Sequence, residues 1–142
     1  MAITDYGIQL KRGNGATPEV FTAIASVVNM PGPELINAAV QSTTHDSGGY
    51  RAFISGALKE LAEFAITINY TPATPQYGAT SGLIYDLING TVRNYQVVFP
   101  DTTTWSFAAL VTNFAPAEAD SASPNPLTAV VTFRPTGVPT LV

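Results

Sequence analysis

Between residues 62 and 70 apolar and polar side chains alternate one by one, with Phe64, Ile66, Ile68 and Tyr70 on one face and Glu63, Thr67 and Asn69 on the other. That period of two predicts a strand with one buried and one wetted face. Residues 35–43 repeat it, setting Ile36, Ala38 and Val40 against Asn37, Gln41 and Thr43. Segments 93–99 and 104–114 flank a Pro100-Asp101 turn, and 127–134 aligns Leu127, Ala129, Val131 and Phe133. Upstream, 3–10 closes on Arg12-Gly13-Asn14-Gly15, whose Asn-Gly is a turn signal. A further strand over 19–28 ends at Met30-Pro31-Gly32-Pro33, where two prolines remove amide donors. Only 81–89 changes period. There Leu83 with Leu87, and Ile84 with Ile88, form an i, i+4 stripe opposite Asp86, which predicts one helix laid over the apolar side of a sheet. Thr80 or Ser81 is placed to cap it and Asn89-Gly90 to close it.

The stretch 45–61 reads two ways. Tyr50, Phe53, Ile54, Ala57, Leu58 and Leu61 fit helical spacing, whereas Gly48, Gly49 and Gly56 oppose a settled helix. A long inter-strand loop near 44–58 is expected, and its aromatic and branched content argues that it orders against another subunit. His45, Asp46, Tyr50, Arg51, Phe53 and Ile54 are its expected contact residues.

A length of 142 residues suits one domain over 1–142, with a flexible N-terminal segment, a small-residue loop over 115–126 and a C-terminal arm near 135–142. Charged residues make up 11% of the chain, against about 25% in an average soluble domain. Little repulsion therefore opposes self-association. The net charge of −4 leaves no basic footprint for tight nucleic-acid binding, and the absence of cysteine excludes disulfides and thiolate metal sites. The first residues lack the pattern of a secretion signal, and no apolar run of about 18 residues suggests a membrane span, so cytoplasmic synthesis is expected.

No chemistry stands out. His45 is the single histidine, which rules out a multi-imidazole metal site, and no Gly-x-Ser-x-Gly supplies a nucleophile elbow. Gly13-Asn14-Gly15-Ala16-Thr17 lacks the lysine of a phosphate loop, so a hairpin turn accounts for it. The carboxylate pairs Glu60 with Glu63 and Glu118 with Asp120 match no cation-binding loop. Tyr6, Tyr50, Tyr95 and Trp105 are scattered over different segments rather than gathered into a stacking platform. Neither a catalytic, a cofactor nor a metal site is expected, and no enzyme.

The segments in order carry more than any one of them. Phe21-Thr22-Ala23-Ile24-Ala25, Met30-Pro31-Gly32-Pro33, Thr43-Thr44-His45-Asp46 and Ser55-Gly56-Ala57-Leu58-Lys59-Glu60 are followed by Phe64-Ala65-Ile66-Thr67-Ile68-Asn69-Tyr70-Thr71-Pro72. The helix, Tyr95-Gln96-Val97-Val98-Phe99-Pro100-Asp101, Trp105-Ser106-Phe107-Ala108-Ala109-Leu110-Val111-Thr112 and a closing Val131-Thr132-Phe133-Arg134-Pro135-Thr136-Gly137-Val138-Pro139 complete the series. Nearly end to end, this resembles the major tail tube proteins of long, non-contractile-tailed bacteriophages. The resemblance implies a β-sandwich or half-barrel with one flanking helix, six-membered rings stacked into a tube, and passage of the genome during ejection. It also implies partners: other copies of the chain, a tape-measure protein, tail chaperones, tip and terminator proteins, and passing duplex DNA without specific binding. The place of action would be the virion tail.

Arithmetic agrees with a conduit. Six subunits giving four strands each at about 4.8 Å spacing close a circumference of at least roughly 115 Å, a bore of roughly 37 Å before tilt enlarges it. A duplex carrying one charge per about 1.7 Å would stall on a basic wall, whereas an acidic, weakly charged subunit gives a slippery one. The polar faces of the third and fourth strands, with Asn37, Gln41, Glu63, Thr67 and Asn69, are expected to meet the channel. The inner tube of a contractile tail or phage-like injection particle shares these features, and a carbohydrate-binding or adhesin sandwich is the alternative from another class.

Overall fold

The alternating segments do form strands, and the computed structural model, which describes residues 2–3, 6–117 and 125–141, is mainly β with antiparallel pairing throughout. In chain order the strands are β1 (Gln9–Gly13), β2 (Phe21–Ala23), β3 (Val27–Asn29), β4 (Leu35–Gln41), β5 (Phe53–Leu61), β6 (Phe64–Asn69), β7 (Arg93–Val98), β8 (Thr104–Pro116) and β9 (Thr128–Leu141). The helix α1 spans Leu83–Asn89. Seven strands make one sheet in the order β2-β1-β7-β8-β9-β6-β3, while β4 and β5 pair only with each other. The 115–126 loop falls largely on residues 118–124, outside the described residues, as do Glu118 and Asp120 and much of the N-terminal segment.

The single strand expected over 19–28 is a bent one. β2 and β3 lie at opposite edges of the seven-stranded sheet although only Ile24, Ala25 and Ser26 separate them, so the sheet must roll until its edges meet. Ser26 takes a left-handed φ of 59° at this corner. Corner backbone groups find partners in side chains: Gln76 accepts from Ala25 N at 2.9 Å and donates to Ala23 O at 3.0 Å, and the Tyr77 hydroxyl donates to Ala25 O. The rolled shape is the half-barrel that the resemblance implied.

Its interior holds the predicted apolar faces. Ile66, Ile68, Tyr95, Val97, Phe107, Ala109, Val111, Ala129, Val131 and Phe133 are buried, with Phe64 and Tyr70 half-buried against them. Tyr95 meets Phe133 edge-on at 5.1 Å, and Phe64 stacks on Phe133 at 5.3 Å. Leu127, expected on the same face, is exposed because it precedes β9.

Two ends differ from expectation. The C-terminal arm is strand: β9 continues to Leu141 against β8, with Trp105 opposite Leu141 and Ala109 opposite Pro135. β6 accompanies β9 only as far as Phe133, so Pro135 sits where β9 has become an edge and a missing amide donor is tolerated. A bulge with Gly137 at a φ of 78° takes up the surplus residues and leaves Val138 94% exposed. On α1 the N-cap is Gly82 rather than Thr80 or Ser81, and the buried face is Leu83 and Asp86, with Leu87 half-buried and Ile88 exposed. The apolar stripe is thus rotated from the one the spacing indicated, because Asp86 occupies part of the inward face.

Tyr95 gives this core a pH limit. Burial, and next the negative charge of Asp86, push its phenol well above the ordinary value of about 10, with Arg12 and Arg93 only partly offsetting them. A raised folded-state pKa means stability that is complete below about pH 10 and is lost as pH climbs above it. Tyr95→Phe is therefore expected to leave the melting temperature at pH 7 nearly unchanged and to shrink the loss between about pH 10 and 12. Urea titrations across that range check it, and identical alkaline profiles would refute it.

Candidate functional site

β4 and β5 form a ribbon that no layer covers among the described residues. Their register sets Leu35 opposite Leu61, Asn37 opposite Lys59, Ala39 opposite Ser55 and Gln41 opposite Phe53, so odd-numbered residues share one face. The middle of that face is polar: Asn37 donates to Ser55 Oγ at 2.7 Å, with Gln41 and Lys59 on either side. The even-numbered face carries Ile36, Ala38, Val40, Ile54 and Leu58, closed by Glu60. A bulge between Asn37 and Ala39 presses Gly56 against Ala38 O, leaving no room for a Cβ there.

Among the described residues the ribbon is tethered at its base. Leu61 is buried, Ala62 N donates to Glu34 O at 2.8 Å, and Glu60 accepts from Arg134 of β9 at 3.2 Å. Beyond that base Ile36, Val40, Phe53 and Ile54 are exposed, and Leu58 is 88% exposed. A lone two-stranded ribbon is marginal in water, and its exposed apolar residues would gain from being covered.

The expected long loop is shorter than 44–58, since β5 begins at Phe53. Thr44 and Ser47 form a reciprocal capping box around a 3₁₀ turn, His45–Ser47, and Gly48 and Gly49 follow at positive φ. Thr43 Oγ1 accepts from Ala52 N at 3.0 Å and Ser42 N donates to Ala52 O at 2.8 Å, which continues the ladder to the loop's neck. Helical spacing misleads here because the bulge at Gly56 disturbs the period of two. His45 and Asp46 lie in the turn, Tyr50 and Arg51 are exposed after it, and Phe53 and Ile54 point to opposite faces of β5.

The five residues expected to line a channel are spread over the ribbon, the β5–β6 connection and the larger sheet. Asn37 and Gln41 share the polar face of the ribbon, Glu63 lies in the β5–β6 connection, and Thr67 and Asn69 belong to β6, paired with Val130 and Thr128 of β9. Predicted strands three and four are thus in different sheets. Sequence reasoning places Ile36 and Val40 on an apolar face but misses their partners in β5, Ser55 and Lys59 on the polar face and Leu58 on the apolar one, because residues 53–61 keep no clean alternation. It also misses Asp86, which is fully buried between Arg12 at 2.7 Å and Arg93 at 3.1 Å.

Among the described residues no group of three or more His, Asp or Glu side chains could hold a metal ion. Trp105 meets Phe99 edge-on at 5.7 Å and is half-buried in the fold rather than part of an aromatic platform. No helix among the described residues is long and apolar enough to cross a membrane.

The fold has close counterparts. A chain from the tail of an empty gene transfer agent particle, refined with C6 helical symmetry, superposes with a TM-score of 0.79 at 17% identity, covering 99% of each chain. A chain from an extracellular contractile injection system, in its sheath/tube terminator structure, gives 0.71 at 13% identity over 100% of this chain and 97% of the other. A chain from the anti-feeding prophage baseplate gives 0.74 at 10%, over 100% and 96%. These likenesses carry the fold. No curated protein matches the sequence. The family model described as "Lambda phage tail tube protein, TTP" matches residues 9–142, nearly the whole chain, so this protein belongs to the lambda phage tail tube protein family, structural components of the virion tail.

Proposed function

We propose that the chain assembles into six-membered rings that stack into the tube of a non-contractile phage tail and pass duplex DNA during ejection, without catalysis. The observation that carries this reading is the β4–β5 ribbon, whose paired strands leave both outer edges and an apolar face uncovered. Free edges of this kind are templates for pairing with another chain. In a ring, the even-numbered face with Ile36, Val40 and Ile54 covers the neighbouring subunit, and the odd-numbered face with Asn37 and Gln41 meets the channel. The capped turn around His45 and Asp46, with Tyr50 and Arg51 beside it, projects toward the next ring. A single domain suffices for such a role, and its partners are the tape-measure, chaperone, tip and terminator proteins of the tail.

The contractile injection relatives share the fold, but the family match to the lambda tube favours a tail without a sheath. Negative-stain electron microscopy over a concentration series, with light scattering for mass, tests the proposal. Hollow tubes or six-fold rings are expected. A protein that stays monomeric at every concentration, and also when mixed with preformed tail tips, would overturn it.

A further inference from the structure

We propose that Pro135, Gly137 and Pro139 part the β4–β5 ribbon from the larger sheet and so keep its outer edge open to another copy of the chain, an inference that rests on the tube reading for what the ribbon meets. β5 and β6 are almost one strand, since only Ala62 and Glu63 separate Leu61 from Phe64. β6 runs antiparallel to β9 in a fixed register, with Asn69 opposite Thr128 and Phe64 opposite Phe133. Continued without a break, that register would set Ala62 opposite Pro135, Glu60 opposite Gly137 and Leu58 opposite Pro139. β9 does go on, paired with β8 as far as Leu141. Yet among the described residues no ladder joins β5 to it, and β5 pairs with β4 instead.

The two strands part where the donors fail. Pro135 sits within the ladder to β8, opposite Ala109, so its nitrogen faces the β5 side and offers nothing there. Two residues on, the bulge at Gly137 bends β9 and pushes Val138 out to 94% exposure, and Pro139 removes a further donor. β4 and β5 contain no proline, so their own outer edges keep every amide. Side chains stand in place of the missing ladder. Glu60 accepts from Arg134 at 3.2 Å, Ala62 N donates to Glu34 O at 2.8 Å, and a cleft of about 550 Å³ lies between Leu58 and Leu61 on one wall and Leu110, Pro135 and Val138 on the other. A β5 zipped onto β9 would close this cleft and give the ribbon a third strand, which would stabilise the free subunit. It would also occupy the edge that a neighbouring copy needs.

The test is Pro135→Val combined with Pro139→Val, which restores both donors without adding charge. Hydrogen exchange followed by NMR on free subunits then reads the new amide at position 135 directly. It is expected to exchange at least about tenfold more slowly than an unpaired edge amide, together with the β5 amides that do not bond to β4. The critical concentration for tubes, measured by sedimentation, is expected to rise by at least about the same factor, because the open ribbon becomes the minor state. Should the double variant not fold, Pro135→Val alone is read in the same way. Fast exchange at position 135 would overturn the proposal, as would slow exchange with an unchanged critical concentration. Protection that grows with subunit concentration would overturn it in favour of an edge guarded against a second copy rather than against β5. Failure of the wild-type chain to form tubes under the microscope counts instead against the tube reading, while exchange in the free subunits still decides whether the prolines part the two strands.

Discussion

Ile54→Asp is expected to abolish tube formation while leaving the subunit folded. Ile54 is 57% exposed in the free chain and faces Val40, itself 50% exposed, across the ribbon, so a carboxylate there stays in water and changes monomer stability by no more than about 0.5 kcal/mol. Once a neighbour covers the even-numbered face, the same carboxylate is buried with no cation beside it. Leaving a buried charge uncompensated costs about 3–5 kcal/mol, which raises the critical concentration by roughly two to three and a half orders of magnitude. Gln41→Asp, on the odd-numbered face, is the comparison: on the proposed arrangement its carboxylate stays in water and tubes are expected to persist. Sedimentation of assembled mass, with thermal melting of the soluble fraction, separates the two variants. Tubes of normal yield from Ile54→Asp would show that this face is not the covered one.

Much of the fold is legible in the order of residues alone, and the parts that are not have identifiable causes. Strict alternation marks β6 through β9 because each has one face in a common core, as Ile66, Val97, Phe107 and Val131 show. β5 is obscured because its period breaks at Gly56, where two surplus residues are taken up between the pairs Asn37–Lys59 and Ala39–Ser55. The corner at Ser26 is invisible because a strand that changes partners keeps its alternation on both sides of the bend. Pairing between distant segments leaves no local trace at all, and so Asn37 and Thr67, alike in pattern, read as one wall although they belong to different sheets.

Asp86 is the clearest case of a residue whose pattern points the wrong way, and removing it is expected to have the largest effect on the fold. Its carboxylate is buried, held by Arg12 of β1 and Arg93 of β7, which also donate to Ser81 O at 3.1 Å and Asn14 O at 3.0 Å. Asp86→Ala leaves two mostly buried guanidinium groups facing each other with no counter-charge. A loss of about 3–5 kcal/mol is expected, seen as a melting temperature lower by about 10–15 °C for a chain of this size. Asp86→Asn tests which property matters, because it preserves shape but offers one acceptor and turns an amide donor toward a donor. It is expected to lose at least half as much, and to gain nothing from Arg12→Lys, whose ammonium cannot span both Asp86 and Ser81 O as the guanidinium fork does. Replacing all three charges by apolar residues, Arg12→Met with Asp86→Leu and Arg93→Met, should recover part of the stability, since no orphaned charge remains. That triple variant would still lack the two bonds that fix the start of α1 and the β1 turn, and broadened unfolding transitions are the expected sign of it. A drop below about 1 kcal/mol for Asp86→Ala would mean that the arginines swing into water and that α1 is held by Leu83 and Leu87 alone.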